Sequence, residues 1–488
     1  MNVLTDAQME LMRRRLAEAG IAGDQSAAGA EPTRPEPSDG GLGIAERRMW
    51  KIYELDPSSI SHNYGVLLQF DDSYTLDEVV ASYERLVNAS EVLGSVIVVG
   101  DDGVVRREPK RWDGRWVVPG EVWEWGSMPE SEEAAEGGSH EQNVRAAAVA
   151  LSTASFRLRQ DPPIRARAYA GKNGGVAMVL VLHHLAGDET ALSPILGELV
   201  ARAGSAEAAA PSAPQAPARP VAALDRAVRH AVRTWAAEGI RYPLSGRLPE
   251  TTPEESWLSV MGEGPGAYLT RPIDPADVAA LAGVAREIGA TPHAVFIVVS
   301  ALSIAALTGA DDYVLLVPAD NRQPGDAADK VGYCGNVVPM RFTFDPAAST
   351  KDALRDAVST VYGSMEFSSV DYGPILTALR SDGRRFPVAE VMALVKNTPL
   401  RGVPIPGGAR VTCETVFKGV VHYPLALAFE IAEDEQVRLE VEYRTDILHE
   451  AYAQRAAQVV AELVARVPDA LDLPLSDLFG TLRAAAGA

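Results

Sequence analysis

Apolar residues recur along this chain with two periods, one helical and one strand-like, and the alternation between them predicts the order of its elements. From Gly41 to about Ala201 the pattern gives a helix through Ala45 to Tyr53, a strand at Tyr64 to Phe70 and a helix from Leu76 to Val87. Strands follow at Ser95 to Val99 and Val104 to Arg107. The continuous apolar run Val179-Leu180-Val181-Leu182 reads as a buried strand, and Ala191 to Val200 as the helix behind it. Further on, Asp225 to Gly239 and Asp274 to Gly289 are helical, and Pro292 to Thr308 is a longer helix apolar on every side. A buried strand at Tyr313 to Pro318 comes next. Strand-like runs at Val411 to Phe417, Leu425 to Ile431 and Val437 to Tyr443 precede a helix from Glu450 to Val467. Helices and strands recur in both halves, so the economical expectation is two similar α/β lobes.

The interruptions set the expected boundaries. Leu4 to Ile21 is an amphipathic stretch closed by Gly20, a short leader helix, and residues 22–40, rich in Gly, Ala, Pro and Ser, form a tether. A second Ala/Pro-rich segment spans 203–222. The organisation expected is therefore leader and tether at 1–40, a first lobe at 41–202, a linker at 203–222 and a second lobe at 223–488. Trp112, Trp116, Trp123 and Trp125 fall within fifteen residues. With a single basic residue, Arg115, between them, they read better as anchors of a loop-rich stretch than as a stacking platform.

Composition narrows the partners. A chain of 488 residues that is 47% hydrophobic can bury a large core. Its formal net charge of -21 argues against nucleic acid, whose phosphates need a basic footprint. Two cysteines, Cys334 and Cys413, are too few for a disulfide framework or a thiolate zinc site and fit a reducing cytoplasm. No uninterrupted run reaches the roughly 18 apolar residues of a membrane span, so neither membrane nor metal is expected.

Candidate chemistry concentrates where the Val179 to Leu182 run ends, at His183-His184-Leu185-Ala186-Gly187-Asp188. A histidine at the end of a buried strand suits a general base, because burial disfavours the imidazolium and leaves the ring neutral. Asp188 stands near a helix start and could orient the loop. Equally, His183 and His184 could be satisfied core histidines and Asp188 a helix cap. The Gly-rich pieces Gly40 to Gly43 and Gly262 to Gly266 lack the setting of a phosphate loop and read as turns, and no Gly-x-Ser-x-Gly is present.

The flanks separate these readings. Phe156-Arg157-Leu158, Pro162 to Arg167 and Val179 to Asp188 resemble the core of the condensation domains of nonribosomal peptide synthetases, whose signature is His-His-x-x-x-Asp-Gly. Ile44 to Trp50 with Asn63-Tyr64 is similar to their opening motif. Gly289 to Pro292, Pro318 to Arg322, and Val331 to Arg341 resemble stretches of their second lobe, and Glu442 to Asp446 their closing motif.

The resemblance implies an α/β fold of two chloramphenicol acetyltransferase-like lobes in a V, a pseudodimer with a central tunnel. It implies that His184 is the catalytic residue, that His183 packs and orients, and that Asp188 pairs with Arg322 across the lobes. Gly187, Glu189 and Asn336 are expected along the tunnel. No cofactor is expected to be bound: the acyl group arrives as a phosphopantetheine thioester on a carrier protein in trans, or on coenzyme A, and meets a free or carrier-bound amine or hydroxyl. The expected product is an amide or ester, made by a free-standing, monomeric condensation enzyme. Two other readings stay open, a coenzyme A- or carrier-dependent O-acyltransferase and a catalytically silent member that docks assembly-line proteins. The departure that motivates the last is Glu189, where the signature has Gly.

Overall fold

Capping and burial define the helices where periodicity predicts them. The computed structural model describes residues 41–111, 116–118, 121–123, 140–171, 174–201, 221–237, 243–244, 263–322, 331–381 and 389–487. The leader, the tether, most of the 203–222 linker, Trp112 and Trp125 lie outside the described residues.

In chain order the helices are α1 (Ile44–Leu55), α2 (Leu76–Ala89), α3 (His140–Thr153), α4 (Glu189–Val200), α5 (Val221–Arg233), α6 (Pro275–Glu287), α7 (Pro292–Thr308), α8 (Thr350–Met365), α9 (Tyr372–Ser381), α10 (Glu450–Arg466) and α11 (Leu475–Gly487). The strands are β1 (Asn63–Phe70), β2 (Ser95–Val99), β3 (Val105–Pro109), β4 (Trp116–Val118), β5 (Glu121–Trp123), β6 (Ile164–Ala170), β7 (Val176–His183), β8 (Gly264–Pro272), β9 (Asp312–Asp320), β10 (Gly335–Thr343), β11 (Val391–Asn397), β12 (Val411–Val416), β13 (Val420–Val421), β14 (Leu425–Ile431) and β15 (Val437–Arg444).

The helix termini show why these boundaries hold. In α2 the Thr75 hydroxyl accepts from the Glu78 N–H while the Glu78 carboxylate accepts from the Thr75 N–H, a reciprocal capping box. In α7 Thr291 caps the first turn, Pro292 occupies the first helical position, and Gly309 ends the helix in the left-handed region at φ 73°. Every residue of α7 from Ala294 to Ala306 is buried, as its all-round apolar sequence requires. Among the described residues no single helix is long and apolar enough to cross a membrane.

Two sheets organise the lobes. The first has the order β12-β1-β7-β6 and the second β10-β9-β11-β14-β15-β8-β13. Val66, Leu68 and Phe70 of β1 pack with α2 and α4 on one face of the first sheet. On its other face Leu67, Val179 and Val181 pack with α1 and α3. In the second sheet Val391, Leu427, Phe429, Leu439 and Val441 face α7 and α10. On the opposite face of that sheet Val314 and Leu316 meet α5 and α9.

Two expectations need correction. The second lobe is not one uninterrupted block at 223–488. β12, which comes after β11, leaves it and pairs antiparallel with β1, with Gly65 opposite Val416 and Phe70 opposite Val411. Leu400 and Val411 belong to the hydrophobic core of the first lobe, as does Val331. Its strand pattern was legible, but nothing local in a strand names its neighbour. Secondly, Gly264 to Gly266 opens β8 rather than forming a turn. Gly266 tolerates no side chain there, because a Cβ would lie 2.6 Å from both methyls of Val421.

Candidate functional site

The site begins where the ladder between β1 and β7 ends. Asn63 stands opposite His183, and one residue further the His184 N–H donates to the His62 carbonyl at 2.8 Å. The chain then turns through one 3-10 turn, His184–Ala186, passes Gly187 and enters α4 with Asp188 as N-cap. Asn63 fixes the other side of this junction by donating its amide to the Ser152 and Ala154 carbonyls, both at 2.8 Å.

The two histidines are held in opposite tautomers. His183 accepts the Leu185 N–H on Nδ1 at 3.1 Å, so its ring proton resides on Nε2. Its ring is 3% exposed and packs edge-on against Tyr53 and Phe156. His184 instead has Nδ1 3.0 Å from the Gly187 carbonyl, which can only accept. The neutral ring therefore donates from Nδ1 and leaves the Nε2 lone pair free.

Burial, with the neighbouring His184 and the cations Arg165 and Lys418, drives the pKa of His183 down to about 3. A buried neutral histidine makes folding depend on pH with a definite sign. Its folded pKa lies below the unfolded value of about 6.5, so its contribution is complete above pH 6.5 and declines as pH falls from there toward 3. The expected slope from His183 is about 1.4 kcal/mol per pH unit. Urea titrations at several pH values should show that His183→Asn removes this part of the acid sensitivity.

The expected pairing across the lobes is present. Asp188 receives Arg322 Nη1 at 2.8 Å, the Cys334 N–H at 2.9 Å and the Ala191 N–H of its own helix at 3.1 Å. Arg322 also donates to Asp320 at 2.9 Å and to the Gly332 carbonyl at 2.9 Å. Both side chains of the Asp188–Arg322 pair are 4% exposed. Asp188 is thus a helix cap and an interlobe anchor at once. A second interlobe contact runs from Arg48 of α1, which donates to the Gly335 carbonyl at 2.7 Å and approaches Asp371 at 3.5 Å.

The residues expected along the tunnel separate. Gly187 is in the loop, extended, and its lack of a side chain is required by close packing. A Cβ there would stand 2.8 Å from Leu182 Cδ2 and 3.0 Å from the Ala191 Cβ. The leucine terminus can rotate away; the alanine cannot. Gly187→Ala is expected to cost about 1–3 kcal/mol in urea unfolding and to disturb the carbonyl that holds His184.

Glu189 occupies the first position of α4, where the helix dipole favours an anion. Lys396 of β11, in the second lobe, is among the charges acting on it. Lys396 is itself held charged against its burial, chiefly by Glu440, with Glu189 and Glu430 acting in the same direction.

Asn336, also expected along the tunnel, holds backbone in the second lobe. It is 2% exposed, donates to the Ser368 and Val370 carbonyls at 2.7 and 2.8 Å, and accepts the Tyr372 N–H at 3.0 Å. All of that capacity goes to stapling the turn before α9 onto β10.

Several neighbours of His184 escaped sequence reading. His62 and Tyr64 flank it at ring-centroid distances of 6.5 and 6.1 Å, and Tyr333 at 5.8 Å. His422 lies 5.5 Å from His62. Lys418, just beyond β12, donates to the Asn63 carbonyl at 2.7 Å. Only Tyr64 and Tyr333 fell inside a recognisable stretch. Lys418 and His422 arrive through the continuation of β12, from a part of the chain with no local signal of the site, while His62 comes from the loop before β1.

Comparison with known proteins bears on the fold that carries this site. Residues 265–485 match the family model described as "Condensation domain". The AMB antimetabolite synthetase AmbB of Pseudomonas aeruginosa is 26% identical over 363 residues, covering 73% of this chain and 28% of that protein. The chain spans between 5% and 36% of the length of the curated relatives it matches. The condensation domain from the Monacolin K polyketide synthase MokA superposes with a TM-score of 0.70 at 14% identity, covering 89% of this chain and 98% of that one. The X-domain in complex with OxyB from teicoplanin biosynthesis superposes with a TM-score of 0.66 at 16% identity, covering 92% and 97%. Its second lobe thus matches the condensation-domain family model, and nearly all of its length takes the fold of solved condensation domains.

Proposed function

We propose that this chain joins an acyl thioester to an amine or hydroxyl, with His184 as the base, in the assembly of a peptide-like natural product. The observation that carries this reading is the His184 tautomer. The Gly187 carbonyl holds Nδ1–H, and Nε2 is left to take a proton from an incoming nucleophile. A thioester is already activated, so no covalent enzyme intermediate is needed, and positioning two substrates supplies much of the rate. As the nucleophile attacks the thioester carbon, its proton passes to His184 Nε2. The tetrahedral adduct collapses to amide or ester, and the departing thiolate recovers the proton. His183 packs against the loop, while Asp188 and Arg322 fix the loop to the second lobe.

Delivery of the donor on a carrier-protein phosphopantetheine arm, or on coenzyme A, is part of this proposal, as is the second, nucleophilic substrate. The test is single-turnover product formation by mass spectrometry, with acyl groups offered on a carrier protein or on coenzyme A and a panel of amines and alcohols. Turnover on coenzyme A with an alcohol but on no carrier-bound donor selects the O-acyltransferase variant. Glu189 favours one other reading, a docking role without catalysis. Binding to a carrier protein or a tailoring enzyme with no product from any pair would select it.

A further inference from the structure

The crossing of the chain from the second lobe to the first has a chemical consequence at His184. We propose that Lys418 is a positioning residue for this base: its ammonium, carried into the first lobe behind β12, is the fixed charge that keeps a proton off the His184 ring. The inference rests on the reading of His184 as a base.

Geometry places the cation. β12 pairs with β1 up to Val416 opposite Gly65. Two residues later Lys418 Nζ donates to the Asn63 carbonyl at 2.7 Å. Asn63 is opposite His183 in the β1–β7 ladder, and His184 donates its N–H to His62, the residue before Asn63. The ammonium is therefore bonded to Asn63, the residue next to the one that receives His184, at the start of β1.

The other groups around the ring do not replace it. His62, from the loop before β1, and His183, from β7, are neutral rings depressed chiefly by burial. Tyr64 on β1 and Tyr333 before β10 have hydroxyls pushed up by burial, so both are uncharged near neutral pH. Asp188 and Glu189 carry negative charge that favours the imidazolium, and Asp188 is engaged by Arg322. After burial, Lys418 is the strongest influence holding the His184 pKa below its ordinary value. Burial holds the pKa of Lys418 itself below the usual lysine value, and Glu442 and Glu263 oppose that in part by favouring its charged form.

The experiment reads the titration of the His184 ring by carbon-13 and nitrogen-15 NMR in the full chain, assigned by the signal lost in His184→Gln. In the unmodified protein the midpoint is expected below the ordinary imidazole value of about 6.5; a midpoint at or above that value overturns the proposal. Lys418→Gln keeps a donor for the Asn63 carbonyl and removes the charge, and should raise the midpoint by at least about 0.3 pH unit. A smaller rise overturns it. Lys418→Arg keeps the charge and should leave the midpoint within about 0.3 pH unit of the unmodified value. A larger displacement also overturns it, since the effect would then follow side-chain fit and not charge. The ring titration needs no substrate, so absence of product from every donor and acceptor would fail the condensation reading while leaving this result interpretable.

Discussion

His184→Ala is expected to lower the rate of product formation by about 100- to 10,000-fold, the range for loss of a positioned proton acceptor. Substrate affinity should change little, because the ring contributes through its Nε2 lone pair and not through the walls that hold the acyl chain. The fold should survive. The backbone bond from residue 184 to the His62 carbonyl does not depend on the side chain, and the Gly187 carbonyl that loses its donor costs about 1 kcal/mol. The pH profile of the unmodified enzyme should rise on its acid side below neutrality and be flat at pH 7, because burial and Lys418 hold the ring pKa below its usual range. Retention of a tenth or more of the activity in His184→Ala would remove this residue as the base, and positioning alone would have to account for turnover.

Arg322→Met should produce the largest loss of stability, about 3–5 kcal/mol, because it leaves the Asp188 carboxylate buried without its cation. Asp320 and the Gly332 carbonyl lose the same partner. Adding Asp188→Asn to Arg322→Met should recover part of the loss by removing the stranded charge, so the two changes should be strongly non-additive. Urea unfolding of the two single variants and the double variant measures this directly. A loss under about 1 kcal/mol for Arg322→Met would mean that the pair is not a principal tie between the lobes. Where the Arg322→Met protein remains folded, its turnover should still fall, because His184 and Asp188 belong to one short loop.

How far the sequence disclosed this molecule depended on the range of the interaction that fixes each part. The ends of α7 were legible because Thr291, Pro292 and Gly309 are local signals, and β14 and β2 were legible as short apolar runs. His183, His184 and Asp188 were legible because they are consecutive with the strand that positions them. The Asp188–Arg322 pair came from family resemblance, since no periodicity links two residues in different lobes. The packing of Asn336 was illegible for a related reason. Its three hydrogen bonds go to the 368–372 backbone, which nothing local in the sequence joins to it. β8 was missed because its start, Gly264-Pro265-Gly266, has the composition of a turn. Its partner β15 supplies the register, from Arg444 opposite Gly266 to Arg438 opposite Pro272.

Glu189 illustrates a charge whose meaning changes with its surroundings. In the sequence it is an intrusion where the family signature has glycine. In the fold it stands in the first turn of α4, at the positive end of the helix, and lies within the influence of Lys396 from the opposite lobe. The substitution therefore adds a charge relation between the lobes rather than an isolated bulky anion.

The β1–β12 pairing also sets a timetable for synthesis. Tyr64 and Thr415 are 351 residues apart, and at about 5–20 residues per second roughly 20–70 s elapse between their emergence from the ribosome. Throughout that interval β1 presents an unpaired edge, although β6 and β7 become available on its other side well before β12 emerges. A nascent first lobe is thus obliged to wait with an open, adhesive border. Truncation before β12, or a pause in translation near it, should leave a product prone to self-association through that border.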